Sequence, residues 1–236
     1  MKKAAMEQLE ERWRQEAERL HRRYVVEVVE ACGLCPWAER ARLQGRTRAS
    51  VLLHRDDAGL EPAVAQLDQW AAERRVDIGF LVFPRLELGR TEFDGFVARL
   101  RAAETQRRPP GEPAVVLAAF HPDADADMDD ADRLVPFLRR SPDPCVQAIR
   151  MSTLKRVRSG APEGTQFVDV SRLDATMDND AGPTLRERIA MANRDTVRRM
   201  GIEEFSARVE EIHRDRERTY ASLADLEDLR GSGTFG

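Results

Sequence analysis

Two apolar runs constrain the fold more than any other feature. Val76 to Phe83 and Ala114 to Phe120 are short, and a proline closes each, Pro84 directly and Pro122 one residue after His121. Runs of this length without clean polar alternation read as strands covered on both faces. Ala49 to His54 reads as an earlier strand, while Leu60 to Glu73 and Phe93 to Glu104 carry helical periodicity between the strands. This alternation predicts an α/β fold, a small, mostly parallel or mixed sheet layered with helices. A ferredoxin-like α+β sheet is the alternative.

Both ends of the chain read as helical extensions of that core. From Met6 to Ala31, Leu9, Trp13, Leu20, Tyr24 and Val28 recur at helical spacing among charges, and Gly33 ends the pattern. Pro36 then suits the start of a short helix toward Leu43. Further on, Ala131 to Arg139 and Asp143 to Val157 read as helices and Gln166 to Val170 as a last strand. Pro183 to Met200 and Ile202 to Leu223 are predicted as helices separated by Gly201, with Phe205, Val209, Ile212 and Tyr220 on the apolar side. The sequence thus predicts one domain over residues 1–230 and a disordered tail over 231–236.

Charge narrows the partners. Lys+Arg is 38 against 42 Asp+Glu, a formal net charge of -4, so the whole-molecule field does not favour nucleic acid or an anionic bilayer. All but Lys2, Lys3 and Lys155 of the basic residues are arginine, whose planar fork suits carboxylate and phosphate. The charged N-terminus lacks the apolar core of a secretory signal, and Ala114 to Phe120 is far short of the roughly 20 residues that span a bilayer. A cytoplasmic protein is expected, with Cys32, Cys35 and Cys145 as reduced thiols.

Cys32-Gly33-Leu34-Cys35-Pro36-Trp37 is the first site candidate. A thiol at a helix N-terminus feels the positive end of the dipole, which lowers its pKa and makes Cys35 a candidate nucleophile. The same residues admit three other readings: a redox pair, a small buried hydrophobe, and a Cys-Pro thiolate ligand to haem iron walled by Trp37, Phe83 and Phe120. Cys32, Cys35, Cys145 and His121 are also of zinc-ligand type, though only the first two have suggestive spacing. His121 and Arg85 follow strands and would line one crevice at the carboxyl end of a parallel sheet. His21, His54 and His213 sit in charged contexts and read as surface residues. The acidic segment Asp123 to Asp132 lacks the glycine and glutamate of a calcium loop and reads as solvated. Ser141-Pro142-Asp143-Pro144 forms a rigid turn, with Arg150 beyond it as an anion-binding candidate or part of a solvated basic face.

Gly33-Leu34-Cys35-Pro36-Trp37-Ala38, Val82-Phe83-Pro84-Arg85, Phe120-His121-Pro122 and Ser141-Pro142-Asp143-Pro144, in this order, resemble the bacterial family catalogued as domain of unknown function 1415. The resemblance covers roughly Tyr24 to Gly201 and implies that Cys35, His121, Ser141 and Arg150 share a site. Relatives usually carry phenylalanine in place of Trp37, a tyrosine in place of Asp143 and a histidine near Gln147. The leading expectation is an enzyme in which the Cys35 thiolate acts with His121 as acid/base, and Arg85, Arg150, Ser141 and Trp37 hold a small anionic substrate. The second is a haem- or transition-metal-binding protein with Cys35 or His121 as ligand. The third is a non-catalytic interaction protein whose terminal helices dock a partner or assemble a homo-oligomer.

Overall fold

The computed structural model describes residues 2–35, 37–55, 59–108, 113–123, 134, 137–158 and 194–231. Strands β1 (Thr47–Val51), β2 (Ile78–Val82), β3 (Val115–Phe120) and β4 (Cys145–Arg150) form one sheet in the order β1-β2-β4-β3. β1 and β2 pair in parallel, and β4 lies antiparallel between β2 and β3. The sheet is therefore mixed, within the α/β class that the alternation predicts. β1, β2 and β3 all run the same way, so their carboxyl ends share one edge with the start of β4.

Helices cover both faces. α1 (Lys2–Tyr24) continues without a break into a π-helical segment, Val25–Glu30, and is followed by α2 (Ala38–Leu43). α3 (Leu60–Ala72) and α4 (Arg90–Gln106) connect β1 to β2 and β2 to β3. After β4 comes α5 (Met151–Arg158), and after a helical stretch at residues 194–200 comes α6 (Ile202–Gly231), which runs for 30 residues.

Strand periodicity separates the two cores. Leu81, Phe83, Val115, Leu117, Val146 and Ala148 pack with Val64, Leu67, Phe93, Phe96 and Leu100 of α3 and α4. Ile78, Phe80, Val82 and Cys145, one position out of phase, face Ala17 of α1 and Ala41 of α2. A third cluster joins α1 to α6 through Leu9, Leu20, Phe205, Val209 and Ile212. Packing on the α3 side is tight enough to dictate a glycine: a Cβ at Gly79 would lie 2.2 Å from the Trp70 ring.

Two expectations need correction. Asp143 to Val157 is not one helix but β4 followed by α5. β4 is flanked by strands on both sides, which satisfies its backbone donors and acceptors, and this pairing outweighs the local helix signals of Pro144 and the spaced arginines. His21 is also no surface residue: it is 6% exposed, with its ring centroid 4.6 Å from that of Phe80. Its flanking charges lie on other faces of α1, while the stripe carrying Ala17 and His21 meets the sheet. Gln166 to Val170, most of the acidic segment and the 232–236 part of the tail lie outside the described residues.

Candidate active site

The shared edge of the sheet carries a cleft of about 290 Å³. Leu86 and Leu88, after β2, form one wall, while His121, Pro122 and Asp123, after β3, form another. Pro142 and Pro144 lead into β4, and α6 closes the space with His213, Arg216 and Glu217. The lining divides evenly between aliphatic or proline residues and polar or charged ones, so the cleft suits a small polar molecule better than an apolar one.

His121 is buried at 6% exposure and held from both sides. Its Nε2 lies 3.0 Å from the Leu88 carbonyl oxygen, and its Nδ1 accepts the backbone N–H of Asp123 at 3.2 Å. A carbonyl can only accept, so the proton sits on Nε2 and the lone pair on Nδ1. Phe93 packs against the ring at 5.7 Å between centroids, and the His121 backbone N–H donates to the Arg139 carbonyl at 3.1 Å. The imidazole is thus oriented through both nitrogens, and Nδ1, which carries the lone pair, is engaged by the longer of the two contacts.

On the opposite side, Arg216 Nε donates to Asp143 Oδ1 at 2.7 Å, and Tyr220 OH donates to Asp143 Oδ2 at 2.8 Å. Asp143 is 1% exposed; burial pushes its carboxyl up from the ordinary range, opposed by the Arg216 charge and the two hydrogen bonds. The Arg216 guanidinium also lies over the Tyr220 ring at 4.9 Å. Among the described residues, neither terminal nitrogen of Arg216 has a hydrogen-bond partner, and Arg216 lines the cleft. His213 lies 3.4 Å from the Arg140 carbonyl through Nε2, and burial, with Arg140 and Arg216 nearby, pulls its pKa down.

The other expected site residues go elsewhere. Arg85 donates to both carboxylate oxygens of Glu227 at 2.9 and 2.8 Å and stacks over Trp13, tying the loop after β2 to both terminal helices. Arg150 sits at the far end of β4, on the order of 17 Å along the strand from Cys145. There it donates to the carbonyls of Trp70, Ala71, Glu73 and Val76, closing the C-terminus of α3. The Ser141 hydroxyl is spent on the Asp143 carbonyl at 2.5 Å, inside its own turn. That turn does meet His121, because the Arg139 carbonyl accepts both the His121 and the Ser141 N–H.

Cys35 and Trp37 lie on the α1 side of the sheet. Phe120 packs toward the clusters that Cys35 and Trp37 join, whereas the next residue, His121, turns to Phe93 and the cleft. α2 begins at Ala38 and is only 6 residues long, while Pro36 lies outside the described residues. The Cys35 sulfur accepts backbone N–H groups from Trp37 and Ala38, but burial outweighs them and pushes the thiol up to about 11. All three cysteines are free thiols, and no group of three or more His, Cys, Asp or Glu among the described residues is arranged to hold a metal. Both nitrogens of His121 already have partners, so a haem iron there would have to displace one.

Sequence reasoning missed Arg216 and His213. Their one local signal is spacing: His213, Arg216 and Tyr220 recur at three and four residues along one stripe of a charged helix.

The family model of a protein of unknown function, DUF1415, matches residues 16–176. The chain belongs to that family. The matched region takes in the motifs around Cys35, Arg85, His121 and Ser141, and Asp143 as well. In this family member the helix that closes the cleft, α6, lies beyond the matched residues. No curated protein matches the chain, and no solved structure does.

Proposed function

We propose that this DUF1415 protein is an enzyme that acts on a small anionic molecule bound at the shared edge of the sheet. His121 serves as general acid/base through Nδ1 once the substrate displaces the Asp123 N–H from it, and the Arg216 fork anchors the anion. The observation that carries this reading is the pairing of an imidazole anchored at Nε2 with an unspent guanidinium fork on two walls of one cleft. Leu88 supplies the tautomer control that a catalytic imidazole needs, and Asp143 holds Arg216 by the inner nitrogen, so that a bidentate carboxylate or phosphate meets the outer pair. Arg85 and Arg150 become structural cations, and Cys35 becomes part of the packing under α1. The near balance of charge and the size of the cleft favour a small metabolite over nucleic acid.

The test is a titration of the full chain with inorganic phosphate, propionate and succinate, followed through the nitrogen resonances of the His121 ring. Saturable shifts with at least one probe are expected, and Arg216→Gln should weaken binding about tenfold, as loss of charge-assisted hydrogen bonds does. A folded protein whose His121 resonances ignore all three probes overturns the reading.

A further inference from the structure

The charges around the cleft do not sum to a simple anion site. Arg216 is already matched by Asp143 beneath it. Glu217, the next residue on α6, also lines the cleft, and among the described residues it makes no hydrogen bond or ion pair. Across from it, Asp123 is 80% exposed at the rim, with one carboxylate oxygen 3.9 Å from His121 Nδ1. Among the described residues the lining therefore offers one guanidinium fork and two carboxylates, Glu217 with no ion-pair partner and Asp123 with only His121 Nδ1 beside it. A ligand carrying only negative charge would satisfy the fork and meet repulsion from both carboxylates.

We infer that the occupant of the cleft is a small zwitterion of the amino-acid type, its carboxylate on the Arg216 fork and its ammonium toward Glu217 and Asp123. This rests on the anion-site reading above and narrows it to one substrate class. The apolar walls, Leu86, Leu88 and Pro144, would take an aliphatic body between the two charged ends. A carboxylate near an ammonium also gives His121 Nδ1 a chemically sensible task, the transfer of a proton to or from the amino group or the carbon beside it.

Matched pairs test this on the full chain: L-alanine against propionate, and 4-aminobutanoate against butanoate, each titrated by NMR or calorimetry. At least one amino compound should bind about threefold to fivefold more tightly than its partner, the advantage a rim ion pair confers. Glu217→Gln should move the two members of that pair in opposite directions, weakening the amino compound and strengthening the plain acid. A structural defect would weaken both. If propionate and butanoate bind as well as their amino counterparts, the zwitterion inference falls while the anion site stands. If none of the four binds and phosphate and succinate also fail, both fall.

Discussion

Asp143 Oδ1 lies 2.7 Å from Arg216 Nε, a contact that joins the turn before β4 to a helix more than seventy residues later in the chain. The pair fixes α6 against the edge of the sheet and sets the direction of the Arg216 fork.

Removal of the carboxylate should therefore cost both stability and binding. Asp143→Ala leaves the buried Tyr220 hydroxyl without its acceptor and the half-buried Arg216 without its counter-charge, so a loss of about 2 kcal/mol is expected in a urea melt. Asp143→Asn keeps a hydrogen-bond acceptor and should lose less. Both variants should bind propionate or phosphate more weakly than wild type. Unchanged binding in a folded Asp143→Asn protein would show that Arg216 needs no such positioning.

Arg150 offers the converse case. Its four carbonyl contacts lie at the opposite end of the sheet from the cleft, so Arg150→Ala should destabilise the fold by about 3 kcal/mol and leave probe binding in the cleft intact. Lysine should recover only part of the loss, since one ammonium cannot reproduce the planar fork. A fall in affinity without a fall in melting temperature would return Arg150 to the binding site.

Cys35 should behave as a packed thiol. With its pKa pushed up to about 11, alkylation by iodoacetamide at neutral pH should be on the order of 100-fold slower than for a free cysteine, and should accelerate on unfolding. Cys35→Ser should fold and retain probe binding. Rapid alkylation with an apparent pKa below that of free cysteine would restore the nucleophile reading.

His21 makes stability depend on pH. Burial lowers its pKa from 6.5 to about 4, so between those values the unfolded chain binds a proton that the folded chain does not. The stabilisation is complete above pH 6.5 and is lost as pH falls through about 4, a change of up to about 3 kcal/mol. Among the described residues His21 Nε2 is buried without a hydrogen-bond partner, so His21→Leu should raise stability near pH 5 and flatten the profile there. A profile unchanged by the substitution would assign the acid sensitivity to other groups, such as His213.

Much of the fold was legible because it is written locally. The strands at Ile78–Val82 and Val115–Phe120 are short apolar runs closed by proline, and the helices between them have clear periodicity. His121 could be placed at the edge that carries the cleft because strand direction alone puts the residue after β3 there. β4 was not legible as a strand, since its identity depends on two neighbouring strands that are distant in sequence.

The same distinction holds for the site. Sequence by itself determined the α/β class, the family motifs, and the arginine and histidine chemistry near the strand ends. Only the tertiary structure decided how these arginines are used: Arg85 meets Glu227, Arg150 meets the end of α3, and Arg216, among the described residues, hydrogen-bonds only through Nε. A side chain's chemistry is local, but its availability depends on which partners the packed chain brings within hydrogen-bond reach.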